Sequence, residues 1–166
     1  MIRVGQGFDV HRHFDLASGS DGDPGRPLVL GGCVFDGERP LLGHSDADVA
    51  AHAAADALLG AAGLADLGTL FPDTDPTWEG ADSLGILGAV AALVVGDGWT
   101  IGNVDIRVVC ERPKIAPRKS EMERNLTLAV GAPVTVSGRR AVGLGAIGRQ
   151  EGIAAWAVAV IEREDR

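Results

Sequence analysis

The stretch Gly43–Pro76 reads GHSDADVAAHAAADALLGAAGLADLGTLFPDTDP and concentrates the residues of this chain that can do chemistry. Its centre is rich in alanine and leucine and predicts a helix over Ser45–Gly60. Ser45 or Asp46 is expected to cap the start of this helix, and Gly63 lies just beyond its end. The remaining interior of the chain is mostly alanine, leucine and glycine, so we expect this helix and its loops to organise both the fold and the site.

Three polar side chains recur every four residues on the predicted helix and share one face: Asp48, His52 and Asp56. A lone histidine on an alanine-rich helix is usually a structural residue. The free N–H groups at the helix start, next to His44 and Ser45, favour phosphate binding. The stretch therefore offers a metal ligand on the helix and an anion site at its tip.

A second polar cluster ends the first predicted strand, Met1–Val10. Asp9 and His11 are two residues apart, so both side chains face the same side of an extended strand. With His52 they would supply two nitrogens and one oxygen, the three-ligand set of a catalytic zinc site. Lys114, in a turn bracketed by prolines, could meet a second phosphate or a base edge. These residues predict metal-assisted chemistry on a phosphorylated small molecule and do not specify the reaction.

Length and composition bound the class of protein. The 166 residues suggest one domain, 1–166. A net charge of −8 with only 4% aromatic residues argues against nucleic-acid and anionic-membrane partners. Cys33 and Cys110 are far apart, so neither a zinc knuckle nor a disulfide framework is indicated. No signal-peptide pattern opens the chain and the apolar stretch Ile86–Val95 is too short for a membrane span, so we expect a cytoplasmic protein.

The rest of the chain predicts alternating strands and helices. The expected elements are a surface loop over Phe14–Arg26, a hairpin from Leu28 to Leu42 turning at Asp36-Gly37, a helix from Asp82 or Ser83 to Val95, a strand over Trp99–Val109, a helix from Pro117 to Val130, a short strand over Val134–Val136, a glycine-rich loop over Ser137–Gly152, and a last strand over Ile153–Ile161 buried on both faces. This order predicts an α+β fold, a single domain with a mixed β-sheet and helices packed on one face.

Seven segments resemble the 2-C-methyl-D-erythritol 2,4-cyclodiphosphate synthase family. They are RVGQGFDVH (Arg3–His11), GHSDADVAAHAAADALLGAAGLADLG (Gly43–Gly68), FPDTDP (Phe71–Pro76), GADS (Gly80–Ser83), GNVDI (Gly102–Ile106), ERPK (Glu111–Lys114) and GRQEGIA (Gly148–Ala154). HSDADV and FPDTDP are highly specific, whereas DxH alone is weak. Together the segments cover nearly the whole chain in the family's order.

The resemblance implies a phosphorus–oxygen lyase of non-mevalonate isoprenoid synthesis. Such an enzyme converts 4-diphosphocytidyl-2-C-methyl-D-erythritol 2-phosphate to the 2,4-cyclodiphosphate and releases CMP. The 2-phosphate attacks the β-phosphorus, and catalysis is mostly positioning and charge neutralisation. The resemblance also implies a homotrimer with active sites between subunits and a central cavity that can bind a prenyl diphosphate.

The resemblance assigns roles by position. Asp9, His11 and His52 match zinc ligands, and His44 and Arg140 match the catalytic positions. Substrate contacts match Asp9 and His11 among the zinc ligands, His44 and Ser45 near the 2-phosphate, Asp66, Leu67 and Gly68 near the ribose or linking portion, Phe71, Pro72, Asp73, Thr74 and Asp75 in the methylerythritol-side loop, Cys110, Glu111, Arg112, Pro113 and Lys114 in the cytidine pocket, and Arg149 at the central cavity.

One segment, Ser137–Val142, departs from the family pattern. Arg140 stands where a threonine is expected to stabilise the transition state. Val142 stands where a glutamate is expected to hold a second divalent ion, Mg²⁺ or Mn²⁺, so binding of that ion should be weakened. Arg139 or Arg140 could replace part of the ion's charge, or both could point to solvent.

Three functions therefore stay open at this point. The first is the cyclodiphosphate synthase. The second is a catalytically impaired trimer that binds zinc and a nucleotide or prenyl diphosphate, and the third is a general metal-dependent phosphohydrolase. Arg149 is likewise open between binding a diphosphate and pairing with Glu151, which we expect on the same side of an extended backbone.

Overall fold

The computed structural model describes residues 1–14, 25–43, 45–72, 74 and 80–164. Most of the surface loop predicted over Phe14–Arg26 lies outside these residues. The elements are β1 (Ile2–Arg12), β2 (Leu28–Leu30), β3 (Cys33–Phe35), α1 (Val49–Ala62), α2 (Leu67–Leu70), α3 (Ser83–Gly96), β4 (Thr100–Val109), α4 (Lys119–Val130, after a 3₁₀ turn at Ala116–Arg118), β5 (Val134–Arg139), α5 (Gly145–Gly148) and β6 (Gly152–Glu162).

Four strands form the main sheet in the order β1-β6-β4-β5. β4 and β5 run parallel, whereas β6 is antiparallel to both of its neighbours. The predicted α+β class and mixed sheet are confirmed. Among the described residues, no helix combines the length and apolarity that crossing a bilayer requires.

Helix α1 lies against the backbone of β1 because two glycines of the strand leave room for it. A Cβ atom on Gly5 would come within 2.0 Å of the Ala57 carbonyl oxygen, and one on Gly7 within 2.0 Å of the Ala53 carbonyl oxygen. Alanines on the helix and glycines on the strand therefore bring the two backbones unusually close. This contact fixes His52 of α1 opposite the end of β1.

The predicted start of this helix is wrong by about one turn. α1 begins at Val49 because the N-cap is Asp48, whose side chain accepts hydrogen bonds from the amides of Ala50 and Ala51. Its end is as expected, since Gly63 takes the left-handed conformation at φ 73°.

The hairpin turns at a different pair of residues from the one predicted. Leu30 pairs with Cys33, so the turn is Gly31-Gly32, at φ 56° and 68°, and not Asp36-Gly37. A two-residue hairpin turn with positive φ at both positions favours glycine there.

Two predictions about the last strands also need correction. β5 extends to Arg139 rather than Val136, because Ser137–Arg139 continue the parallel pairing with β4. β6 is not buried on both faces in the single chain: Trp156 is 38% and Val158 is 42% exposed. The sheet therefore has one face covered by helices and a second, partly apolar face left open.

Candidate functional site

Three predicted ligands meet where the end of β1 faces α1. Asp9 Oδ2 lies 3.2 Å from Nε2 of His11 and 3.1 Å from Nδ1 of His52. One donor atom from each residue falls within 4.8 Å of the others. The prediction that Asp9, His11 and His52 form one cluster is confirmed.

A backbone carbonyl sets the orientation of His11. Its Nδ1 lies 2.5 Å from the Leu42 oxygen. A carbonyl oxygen only accepts hydrogen bonds, so Nδ1 carries the proton and Nε2, which faces Asp9, has a free lone pair.

A hydroxyl chain sets the orientation of His52 in the same way. The Ser83 hydroxyl donates to the carboxylate of Asp46. Its oxygen therefore accepts from Nε2 of His52, 2.9 Å away, and the Ser45 hydroxyl lies 3.1 Å from the same nitrogen. This assigns the proton to Nε2 and directs the lone pair of Nδ1 at Asp9.

In this arrangement the carboxylate oxygen of Asp9 and one ring nitrogen each of His11 and His52 direct lone pairs towards one another. Such a set requires a cation between its members, which is either a proton on an imidazole or a metal ion. Burial alone would raise the pKa of Asp9, but hydrogen bonds and positive charge from His11 and His52 lower it well below its ordinary value. The same pairing with Asp9 raises the pKa of His11 against the effect of burial. The donor set fits a three-ligand metal site with one position open.

The other aspartates of α1 do not join this cluster. The Asp48 carboxylate is fully buried and also accepts from the amides of Gly31 and Gly32, at 2.9 and 2.8 Å. Burial and the neighbouring Asp46 raise the pKa of Asp48, and these amide hydrogen bonds offset part of that effect. Asp56 accepts from the amide of Leu67 at 3.0 Å. Because Asp48 accepts hydrogen bonds from the amides of Ala50 and Ala51, these two amides are not free to bind an anion at the tip of the helix.

Residues expected in the loops beside α1 are placed in part. Asp66 caps the short helix α2 and accepts from the amide of Thr69 at 2.8 Å. Leu67 and Phe71 pack against the core. Of the other expected contacts, Ser45 is buried and lies beside His52. Along or just after α2 lie Gly68, Pro72 and Thr74. Outside the described residues are His44, Asp73 and Asp75.

A cavity of about 360 Å³ opens where β4 and β5 end. It is lined by Cys110, Glu111, Pro113, Lys114, Ile115, Ala116, Lys119, Ser137, Gly138, Arg139 and Arg140. Four of the five residues expected around cytidine are therefore together. The lining includes Cys110, and burial raises the pKa of its thiol to about 12.

Arg112, the fifth residue of that set, turns away. It pairs with Glu38 at 3.1 Å and lines a second, smaller cavity with His13, Gly37, Arg39 and Gln150.

Arg149 pairs with Glu151 at 2.6 Å. The backbone from Arg149 to Glu151 is not extended as expected, since Gln150 has φ 60° and Arg149 is the C-cap residue just after α5.

Arg140 also has a partner that the sequence does not suggest. Its guanidinium meets the Glu111 carboxylate at 2.7 and 2.9 Å. Ser83 and Asp46, which orient His52, were expected only at helix starts and not among the site residues. Their positions before α1 and at the start of α3 could have suggested polar contacts. Those positions do not indicate which nitrogen of His52 the Ser83 hydroxyl contacts.

Known proteins share this arrangement of sequence and fold. The profile of the YgbB family matches residues 2–162. A 2-C-methyl-D-erythritol 2,4-cyclodiphosphate synthase of Rubrobacter xylanophilus is 51% identical over 164 residues, which are 97% of this chain and 95% of that protein. The bifunctional enzyme IspD/IspF of Anaeromyxobacter dehalogenans is 50% identical over 98% of this chain, which spans only 40% of that relative's length.

A solved structure supports the same relationship. The CDP complex of IspF from Plasmodium falciparum superimposes with a TM-score of 0.81 at 31% identity, covering 99% of this chain and 97% of that one.

Proposed function

The chain belongs to the YgbB family, and from this premise we propose that it converts 4-diphosphocytidyl-2-C-methyl-D-erythritol 2-phosphate to 2-C-methyl-D-erythritol 2,4-cyclodiphosphate with release of CMP. The observation that carries the proposal is the cluster of Asp9, His11 and His52, whose two ring nitrogens direct lone pairs at one carboxylate. We propose zinc as the ion that these three residues hold, since two imidazoles and a carboxylate with an open position suit it.

The reaction asks the protein for position and charge rather than for a covalent intermediate. An oxygen of the 2-phosphate forms a bond to the β-phosphorus while the bond to the bridging oxygen breaks, and that electron pair leaves with CMP. A bound metal ion supplies Lewis-acid stabilisation of phosphate charge. Leu42 and Ser83 fix the orientation of the His11 and His52 rings, so the position of an ion bound by these rings would also be fixed. His44 is a proposed contact to the 2-phosphate, on the basis of the resemblance alone.

The cavity beside β5 suits the cytidine end of the substrate. Cys110, Pro113 and Ile115 supply apolar lining, and Lys114 supplies an exposed cation near them. The CDP complex of the Plasmodium falciparum relative supports a cytidine nucleotide as the occupant. Apolar walls with a few polar groups are typical of small-molecule sites.

We propose that a second divalent ion, Mg²⁺ or Mn²⁺, binds weakly or only together with substrate. Val142 offers no carboxylate, and it is 82% exposed. An ion there would rest on substrate phosphates and water.

We propose a homotrimer, because the open face of the sheet is apolar. Val4, Phe8 and Trp156 lie on that face and are 64%, 47% and 38% exposed. A contiguous apolar surface on a small chain is commonly covered by another subunit. We also propose that Arg149 side chains of three subunits bind a prenyl diphosphate. This binding would require each guanidinium to keep only part of its contact with Glu151 or to give that contact up. Titration with geranyl diphosphate tests it.

A second candidate is a catalytically impaired trimer that binds zinc and nucleotide. It is favoured by the engagement of Arg140 with Glu111, which occupies the guanidinium at the position of the family's threonine. Phosphorus NMR of the purified protein with the cytidyl substrate separates the candidates. Cyclic diphosphate and CMP support the synthase, unchanged substrate supports the impaired trimer, and open-chain hydrolysis products support a phosphohydrolase.

A further inference from the structure

The cavity at the ends of β4 and β5 has two walls that come from separate parts of the chain. One wall is the loop that follows β4 and carries Glu111, and the other is the end of β5 with Arg139 and Arg140. Glu111 joins the two walls. Its Oε2 accepts from Nε and Nη2 of Arg140, at 2.9 and 2.7 Å, and its Oε1 accepts from the Gly143 amide at 3.2 Å.

This link differs from an ordinary surface ion pair. The Glu111 side chain is only 6% exposed, although Arg140 is 74% exposed. Both carboxylate oxygens are engaged, one of them by two donors of a guanidinium, which is a strong and directional arrangement. Hydrogen bonds from Arg140 and Gly143 lower the pKa of Glu111, so the carboxylate stays ionised near neutral pH.

The segment that Glu111 holds needs a tether. Val142 lies between Arg140 and Gly143 and has φ 54°, a conformation that β-branched residues rarely adopt. Backbone of this kind persists only where surrounding contacts impose it. The hydrogen bonds of Glu111 lie on both sides of Val142 and supply such contacts.

The tether leaves the preceding arginine available. Arg139 lines the cavity, and no ion pair joins it to any residue that the structure describes. Its guanidinium donates one hydrogen bond within the described residues, to the Gly138 carbonyl at 3.3 Å. Adjacent arginines thus have different partners: Arg140 is neutralised by Glu111, and Arg139 presents uncompensated charge to the cavity.

We propose that Glu111 is a positioning residue, which clamps the wall of the cavity through Arg140 and thereby holds Arg139 where it meets the diphosphate of a bound nucleotide. The proposal rests on the proposed function only in taking a cytidine diphosphate as the occupant. It adds a specificity determinant, because Arg139 favours a nucleoside diphosphate over the nucleoside alone.

The test is calorimetric titration of the purified, metal-containing protein with cytidine and with CDP. Arg139→Ala should weaken CDP about tenfold or more and leave cytidine nearly unchanged, as expected for losing a charged hydrogen-bond donor. Glu111→Gln should lower the ratio of CDP to cytidine affinity in the same direction. In the Arg139→Ala background, Glu111→Gln should change that ratio no further, because Glu111 acts through Arg139.

Controls separate a positioning role from a structural one. Glu38→Gln removes the partner of Arg112, outside this cavity, and should leave the ratio unchanged. The exchange Glu111→Arg with Arg140→Glu should restore part of the ratio by restoring the pair. If Glu111→Gln leaves the ratio intact, or lowers it equally with and without Arg139, the proposal is overturned.

Failure of the proposal and failure of the proposed function give different results. If the wild-type protein prefers CDP to cytidine and forms no cyclic diphosphate, the proposed enzymatic function is wrong. The affinity ratios of the Glu111 and Arg139 variants then decide the clamp proposal separately. If the wild-type protein does not prefer CDP, the clamp proposal is overturned whatever the turnover.

Discussion

The Asp48 carboxylate accepts a hydrogen bond from the amide of Gly31 at 2.9 Å, which ties the start of α1 to the turn of the β2–β3 hairpin. The same carboxylate caps α1 through the amides of Ala50 and Ala51. One buried side chain therefore fixes the position of the helix that carries His52.

Replacing this carboxylate should be costly. We expect Asp48→Ala to lower the free energy of unfolding by roughly 3 kcal/mol, since it removes a cap and leaves several buried amides without partners. Asp82→Ala is the matched control, because Asp82 caps α3 with a single exposed hydrogen bond to Leu84 and should cost about 1 kcal/mol. Urea unfolding at one fixed protein concentration measures both, and equal losses would contradict the tie to the hairpin.

The proposed zinc site at Asp9, His11 and His52 predicts a graded response to substitution. His52→Ala and Asp9→Ala should each abolish stoichiometric zinc, measured by elemental analysis after dialysis. Ser83→Ala should retain zinc with affinity reduced about tenfold, because the hydroxyl only orients the ring of His52. Asp56→Asn, on the same helix but outside the cluster, should leave zinc unchanged. Full zinc in both ligand variants would remove them from the ligand set.

The close contact between α1 and β1 predicts opposite effects for two glycine substitutions. Gly7→Ala should destabilise the chain by several kcal/mol or prevent folding, since the new Cβ would lie 2.0 Å from the Ala53 carbonyl oxygen. Gly60→Ala should stabilise it by about 0.5–1 kcal/mol, because Gly60 is inside α1 and its added Cβ would meet only the Gln6 oxygen at 3.8 Å. Thermal unfolding measures both, and a tolerated Gly7→Ala would show that the strand and helix can separate.

The pKa of Cys110 predicts a thiol that does not react. With the pKa raised to about 12, less than about a thousandth of the group is thiolate at pH 8.5, and the thiolate is the nucleophile. Burial favours the neutral thiol over the thiolate, so the reactivity of Cys110 should rise only as the pH approaches the raised pKa. Iodoacetamide should label Cys110 slowly in the native protein and readily in denaturant. Rapid native labelling would contradict the buried position of this thiol.

Local pattern made much of this structure predictable. Strand β1 places Asp9 and His11 on one side, and the alanine-rich period of α1 brings His52 to them, so the cluster follows from two short segments. The choice of hairpin turn did not follow, because Gly31-Gly32 and Asp36-Gly37 both suit such a turn locally. Asp48 favours the Gly31-Gly32 turn because its carboxylate accepts hydrogen bonds from both glycine amides. These contacts span 17 and 16 positions of the sequence.

Two contacts of the site that the sequence did not indicate join residues distant in the chain. The hydrogen bonds of Ser83 to His52, and of Glu111 to Arg140, span 31 and 29 positions, and no periodicity encodes them. The apolar run of β6 had a similar limit. Such a run indicates that both faces can be buried, but not whether the second face is covered by the same chain or by another copy.

The open face of the sheet carries a pair of aromatic side chains. Phe8 and Trp156 lie side by side on it, with ring centroids 4.8 Å apart. On the far side of β6 the face becomes charged, because Arg107 of β4 pairs with Asp105. The apolar part is thus confined to β1 and β6, where a second and third copy would cover it in a closed assembly.

We expect light scattering at micromolar concentration to give three times the chain mass for the wild-type protein. Trp156→Glu should reduce this to the mass of one chain, because a charge at the contact would lose its hydration on assembly. Leu128→Glu is the control, since Leu128 is 76% exposed on α4 and its substitution removes an apolar side chain elsewhere. A wild-type monomer would contradict the proposed trimer, and a Trp156→Glu trimer would place the contact on another surface.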